Sequence, residues 1–213
     1  MIWCNSNANK ANQEFWGPVI PHDPDTMALL SSAGHWLVGA FVLPVAVLIG
    51  FEANGRLTTS PLRYCVPALI ILSGFALAGY IVFHAGLDRA PEMLQYALGS
   101  DKQIQHFVMA AAVVIIGASE WLARTAPRNT SPWRFVWPTA YMATGLGFIF
   151  HVQTGPQAEA VWHYHALLGI VILSASLARL GQVSKLVAWR PSGLIFAGLL
   201  AIEAGMLLAF RAL

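Results

Sequence analysis

The chain has 213 residues, of which 57% are hydrophobic and 10% charged, and its net charge is only +2. A soluble domain carries about a quarter charged residues, so an ordinary water-soluble fold is excluded, and a solvated disordered coil with it. No run of Lys or Arg supplies the electrostatic footprint of a nucleic-acid binder, so no nucleic-acid partner is expected.

Residues 1–26 read as a polar tail carrying Glu14, Asp23 and Asp25, without the basic start and apolar core of a signal peptide. Residues 27–213 read as an all-α transmembrane domain. A spanning helix needs about 20 mostly apolar residues, and six stretches are expected to span: 27–51, 67–84, 103–122, 137–151 (starting as early as Trp133), 158–180 and 191–213. The segments after the first, third and fifth stretches hold Arg56, Arg63, Arg124, Arg128, Arg134, Arg179, Lys185 and Arg190, eight of the twelve Lys and Arg residues. The positive-inside rule then turns both termini of this multi-pass chain outward. Cys4 and Cys65 fall on opposite sides, which excludes an intrachain disulfide, and no CxxC or CxxCH occurs.

The chain also rhymes with itself. His35-Trp36-Leu37-Val38-Gly39, His106-Phe107-Val108-Met109-Ala110 and His165-Ala166-Leu167-Leu168-Gly169 lie in the first, third and fifth helices. Partner helices begin near Pro67, Pro138 and Pro191 and end in Phe83-His84, Phe150-His151 and Phe210-Arg211. This pattern predicts repeated helical hairpins, the third copy divergent.

All seven histidines fall on the outward half. His22, between Pro21 and Asp23, reads as an ordinary exposed side chain. His35 and His165 lie about 10 Å inside their helices, a depth at which a polar side chain needs a partner and faces the bundle interior. Glu203 interrupts an apolar run at a similar depth, where an unpaired carboxylate costs at least about 2.5 kcal/mol. The alternative to ligation is a protonated Glu203 hydrogen-bonded to a neighbouring helix. His84, His106, His151 and His163 make a shallower layer, in which His84 and His151 could equally cap helix ends. His163 and His165 point to nearly opposite helix faces, so at most one should reach a given site. Glu52 and Glu120 are expected to snorkel to the inward interface.

Candidate metal ligands are therefore His35, His84, His106, His151, His163, His165 and Glu203. Two histidines with a carboxylate suit iron or zinc, and an imidazole cluster near Met109 suits copper. Facing histidines, His35 with His165, would instead serve as the axial ligands of haem b.

His35-Trp36, Phe83-His84, Phe150-His151 and His163-Tyr164-His165 give the six-helix core a resemblance to small bacterial inner-membrane proteins of the copper-resistance D type. That resemblance implies copper handling beside a periplasmic metal carrier. In outline the chain is also similar to cytochrome b561-type bundles, although those place haem ligands toward both faces and no inward histidine exists here. Three functions are thus expected to compete. The first is a transition-metal protein, copper foremost. The second is a b-type cytochrome passing electrons from quinol to a periplasmic electron-transfer partner. The third is a metal-dependent membrane hydrolase or oxygenase. A subunit of a larger membrane complex is a further reading, with the tail aromatics Trp3, Phe15 and Trp16 available for docking. No phosphate-binding loop or ATPase domain supports pumping.

Overall fold

The computed structural model describes residues 24–57, 60–126, 131–151, 158–186 and 189–211. Cys4, His22, Arg128 and nearly all of the 1–26 tail lie outside them. Among the described residues, seven α-helices follow one another: α1 (Pro24–Ala53), α2 (Cys65–Phe83), α3 (Ala90–Leu98), α4 (Asp101–Thr125), α5 (Val136–Ile149), α6 (Ala158–Val183) and α7 (Trp189–Ala209). Short 3₁₀ turns, Pro61–Tyr64 and Pro132–Phe135, lead into α2 and α5. Among the described residues there is no strand. The expected stretches thus match α1, α2, α4, α5, α6 and α7 to within a few residues. The amphipathic nine-residue α3 was not expected.

Helix ends follow local chemistry. Gly55 adopts φ 77°, while Arg56 N donates to Phe51 O and Gly55 N to Glu52 O, a left-handed cap that closes α1. Pro61 and Pro132 occupy the first positions of their turns, where a missing N–H leaves nothing unsatisfied.

Among the described residues, five helical segments are long and apolar enough to cross a membrane, at Leu29–Ala53, Pro61–Phe83, Gln103–Thr125, Ala158–Val183 and Arg190–Ala209. Burial runs opposite to that of a soluble protein. Val47, Phe75, Ile115, Leu146, Ile170 and Ile202, one from each long helix, are exposed, while Ser73, Glu120, His165, Ser176, Arg179 and Glu203 are buried. Water would not tolerate so continuous an apolar surface, whereas lipid matches it.

Each of the six long helices packs against two others, in the closed order α1, α2, α4, α5, α6, α7 and back to α1. Val45, Ile49, Ile70, Ile116, Leu168, Ile172 and Phe196 fill the core. The pairs α2–α4, α5–α6 and α7–α1 are the closest. A Cβ added at Gly74 would stand 2.7 Å from Ala110 O, one at Gly145 3.0 Å from Gly169 O, and one at Gly39 3.1 Å from Ala204 O. Small residues let these backbones approach.

The repeat read from sequence recurs in contacts between successive hairpins rather than within each hairpin. Ala110 and Gly169 lie four residues after His106 and His165, and pack on Gly74 and Gly145, each seven residues after its proline. Eleven residues after those histidines stand Gly117, whose Cβ would lie 2.9 Å from Pro67 O, and Ser176, which donates to Pro138 O at 2.6 Å. Offsets of four, eleven and fourteen residues return to one helix face. The third copy departs: Gly198, seven residues after Pro191, has nothing near its Cβ position.

Candidate metal centre

The starts of α1, α4 and α6 and the ends of α2, α5 and α7 meet at one end of the ring, which collects the six described histidines. His35 on α1 and His165 on α6 face each other with their Nε2 atoms 3.4 Å apart. His35 Nδ1 donates to Ser31 O at 2.7 Å, and His165 Nδ1 donates to Val161 O at 2.8 Å. A carbonyl only accepts, so in the neutral rings both protons sit on Nδ1 and both Nε2 lone pairs point inward. Two lone pairs at that distance repel unless a proton or a metal ion lies between them. Phe210 stacks on His35 with centroids 3.9 Å apart, and Phe148 stacks on His165 at 5.6 Å, so apolar rings wall the pair.

Two further imidazoles continue the line. The buried His151, just past the end of α5, lies 5.1 Å from the His165 ring, and His106 on α4 lies 5.3 Å from His151. His151 Nδ1 donates to Gln105 Oε1, the partner that orients a ligand imidazole in metal sites.

The remaining candidates sit elsewhere. His84 turns Nδ1 onto Tyr80 O and Ile81 O, at 3.1 and 3.2 Å, and so caps its own helix. His163 is 63% exposed and lies 3.8 Å from Glu159, on the opposite side of α6 from His165, as the spacing requires. Glu203 is buried on α7 and accepts from the Tyr141 hydroxyl of α5. Met109 lies near Gly147 of α5. Among the described residues, no group of three His, Cys, Asp or Glu side chains stands close enough to hold a metal ion. What the fold offers is a pair of imidazoles with a second pair adjoining.

The opposite end of the ring differs from expectation. Glu120 does not snorkel; it is buried, and both its oxygens accept from Arg179 Nη2, at 3.0 and 2.8 Å. Arg124 Nε donates to Glu120 at 2.8 Å, while its Nη1 and Nη2 clamp Glu52. Arg63 O and Gln182 Oε1 take further guanidinium protons, at 2.6 Å each. Arg179 also lies over the Trp137 ring, 4.9 Å from its centroid. Arg124 and Arg179, expected in connecting segments, therefore belong to helices and to a charge-balanced network joining α1, α4 and α6. Snorkelling failed as a rule here because two guanidinium groups at the same depth pair the carboxylates inside the bundle. The signal was present in sequence: Glu120 and Arg179 each follow their histidine by fourteen residues.

Comparison with protein-family models, with curated proteins and with solved structures finds no match to this chain.

Proposed function

We propose that this is an integral membrane protein that binds a transition metal, copper foremost, between His35 and His165 near the outer membrane surface, and acts in metal handling or as a redox site. The observation that carries the proposal is the inward-facing pair of Nε2 atoms at 3.4 Å, with both Nδ1 protons already committed to backbone. Metal–imidazole bonds run about 2.0–2.1 Å, so nitrogens at this separation lie within reach of one ion. Iron and zinc readings needed Glu203 beside the histidines, whereas its partner is Tyr141. Copper stands highest among the divalent ions in affinity for nitrogen ligands and does not demand a closed protein cage. The resemblance to copper-resistance D proteins agrees with this reading.

The proposal includes six spans with both termini outward. Helix α5 has 14 residues, a rise of about 21 Å, and its leading 3₁₀ turn adds about 8 Å, close to the roughly 30 Å of hydrocarbon. With Arg124 and Arg179 assigned to the buried network, six loop cations (Arg56, Arg63, Arg128, Arg134, Lys185 and Arg190) stand against Lys10, Arg89, Lys102 and Arg211. That bias is smaller than the sequence count but keeps its sign, and it turns the histidine end to the periplasm.

Elemental analysis with an optical spectrum of the detergent-purified protein tests this. About one copper per chain is expected, lost in His35→Ala and in His165→Ala and weakened below about pH 6 as imidazoles protonate. A protein that takes up no copper refutes the reading, and a Soret band that vanishes in the same two variants identifies haem b instead.

A further inference from the structure

We infer that the 3₁₀ turn leading into α5 holds a phosphate group through Arg134 and Ser131, at the end of the ring opposite the histidines. The inference rests on the membrane-spanning reading and is independent of the metal. It starts from the internal repeat. Ser60-Pro61-Leu62-Arg63-Tyr64 enters α2 and Ser131-Pro132-Trp133-Arg134-Phe135 enters α5, at the same offset that separates His35 from His106. In both turns the arginine lies over the ring that follows it, Arg63 4.8 Å from the Tyr64 centroid and Arg134 4.9 Å from that of Phe135. The two copies differ in their polar partners. In the first, Leu62 N donates to Ser60 Oγ at 3.2 Å, and Arg63 Nη2 donates to the Tyr64 hydroxyl at 2.7 Å. In the second, Ser131 makes no capping hydrogen bond, and Phe135 lacks the oxygen that Tyr64 supplies. Ser131 Oγ and Arg134 Nε are both buried without a hydrogen-bond partner, and among the described residues no carboxylate pairs with Arg134. A buried charged donor left unmatched is costly, so this turn calls for an acceptor from outside the chain.

Position and chemistry identify that acceptor. Trp137, three residues after Arg134, lies under Arg179 near the end of α6, so Arg134 stands about 5 Å further toward the surface. Trp133 beside it is 48% exposed, as suits a tryptophan seated at headgroup level. Phosphate is the abundant anion at that level, and a guanidinium Nε with its neighbouring Nη forms a fork that meets two phosphate oxygens. Ser131, three residues earlier in a turn of three residues, stands on the same side and adds a hydroxyl donor. Arg134 is only half-buried, so the ligand meets its open side, and side-chain rotation turns Nε and the Ser131 hydroxyl toward the oxygens. The phosphate is that of an anionic lipid headgroup or a free ion, and the experiment separates these sources.

The test is native mass spectrometry and thermal unfolding of the full-length protein in detergent, with dioleoylphosphatidylglycerol, with inorganic phosphate and with neither. A lipid source gives a wild type that retains phosphatidylglycerol and unfolds at a higher temperature with it. A free-ion source gives the same rise with inorganic phosphate alone. Arg134→Gln should weaken the ligand that binds by about tenfold or more, and Ser131→Ala by about threefold. Phe135→Tyr gives Arg134 the acceptor that Tyr64 gives Arg63. It should weaken binding by about tenfold and leave the protein without ligand at least as stable as wild type. Far-UV circular dichroism checks folding, and Phe135→Tyr decides if Arg134→Gln does not fold. A wild type that binds neither ligand overturns the site. So does unchanged affinity in Arg134→Gln or, where that variant does not fold, in Phe135→Tyr. Copper uptake plays no part in these readouts, so the metal proposal stands or falls separately.

Discussion

A carboxylate in hydrocarbon persists only with a partner, and Glu203 has the phenol of Tyr141, which reaches it from α5 past the intervening α6. Tyr141→Phe strips that donor and should cost about 1–3 kcal/mol, read as a lower unfolding midpoint in detergent. Glu203→Gln keeps an acceptor oxygen for the hydroxyl, so it should unfold near wild type, and under the copper proposal it should carry as much copper as wild type, a loss instead making Glu203 a ligand. The sequence makes Glu203 conspicuous because one charge interrupts an apolar helix. Its partner was hidden, since a tyrosine in a membrane helix gives no sign of which way its hydroxyl turns. His35 and His165 were legible for the opposite reason: both lie too deep for solvation, and at matching depth. His84 shows where such reasoning stops, because a histidine at a helix end serves a cap or a site with the same sequence signature, and only Nδ1 on Tyr80 O decides between them.

At the scale of helices, hydropathy located six elements well, because a bilayer demands long apolar runs and little else imitates them. It gave no warning of α3, whose nine residues fall below any spanning window. The repeat was legible in the proline and histidine spacing, but the tight pairs were not. The sequence suggests that each histidine helix pairs with the proline helix that follows it, whereas the closest contacts join each proline helix to the next histidine helix. Close approach at Gly169 decides which neighbour α6 prefers: a Cβ there would stand 2.6 Å from Gly145 O and 3.3 Å from Ile149 N, backbone atoms that cannot turn aside. Gly169→Ala should therefore destabilise by about 1–3 kcal/mol, as α6 moves off α5 one turn below His165. Gly198→Ala meets nothing within 4 Å and should be neutral or stabilising by up to about 1 kcal/mol, since alanine is the better helix former. Thermal unfolding of the two variants side by side checks both.

For the molecule as a whole, the histidines and the ion pairs sit at the two ends of the ring, with the Tyr141–Glu203 pair buried between them. Histidine and ionic ends are about 21 Å apart, from the fourteen residues between His165 and Arg179. The ionic end ties α1, α4 and α6, which are not neighbours in the ring, and so braces it across the middle. Removing one member leaves a buried charge uncompensated: Glu120→Gln or Arg179→Met alone should cost about 3–5 kcal/mol. The double variant should lose less than the sum, with a coupling of about 0.5–3 kcal/mol, as measured by unfolding each member of the cycle. Additive losses would show that the network contributes no mutual stabilisation.

Closure of the ring also sets an order of assembly. Two of the three tight pairs form between helices that lie close in the chain, but the third joins α1 to α7. Phe210, just beyond α7, covers His35, and its carbonyl accepts from the Trp36 indole at 2.8 Å. During synthesis α1 waits for every other span before this wall arrives. The wall of the His35–His165 pair is thus the last part of the protein to be completed, so a half-made chain leaves these two imidazoles uncovered.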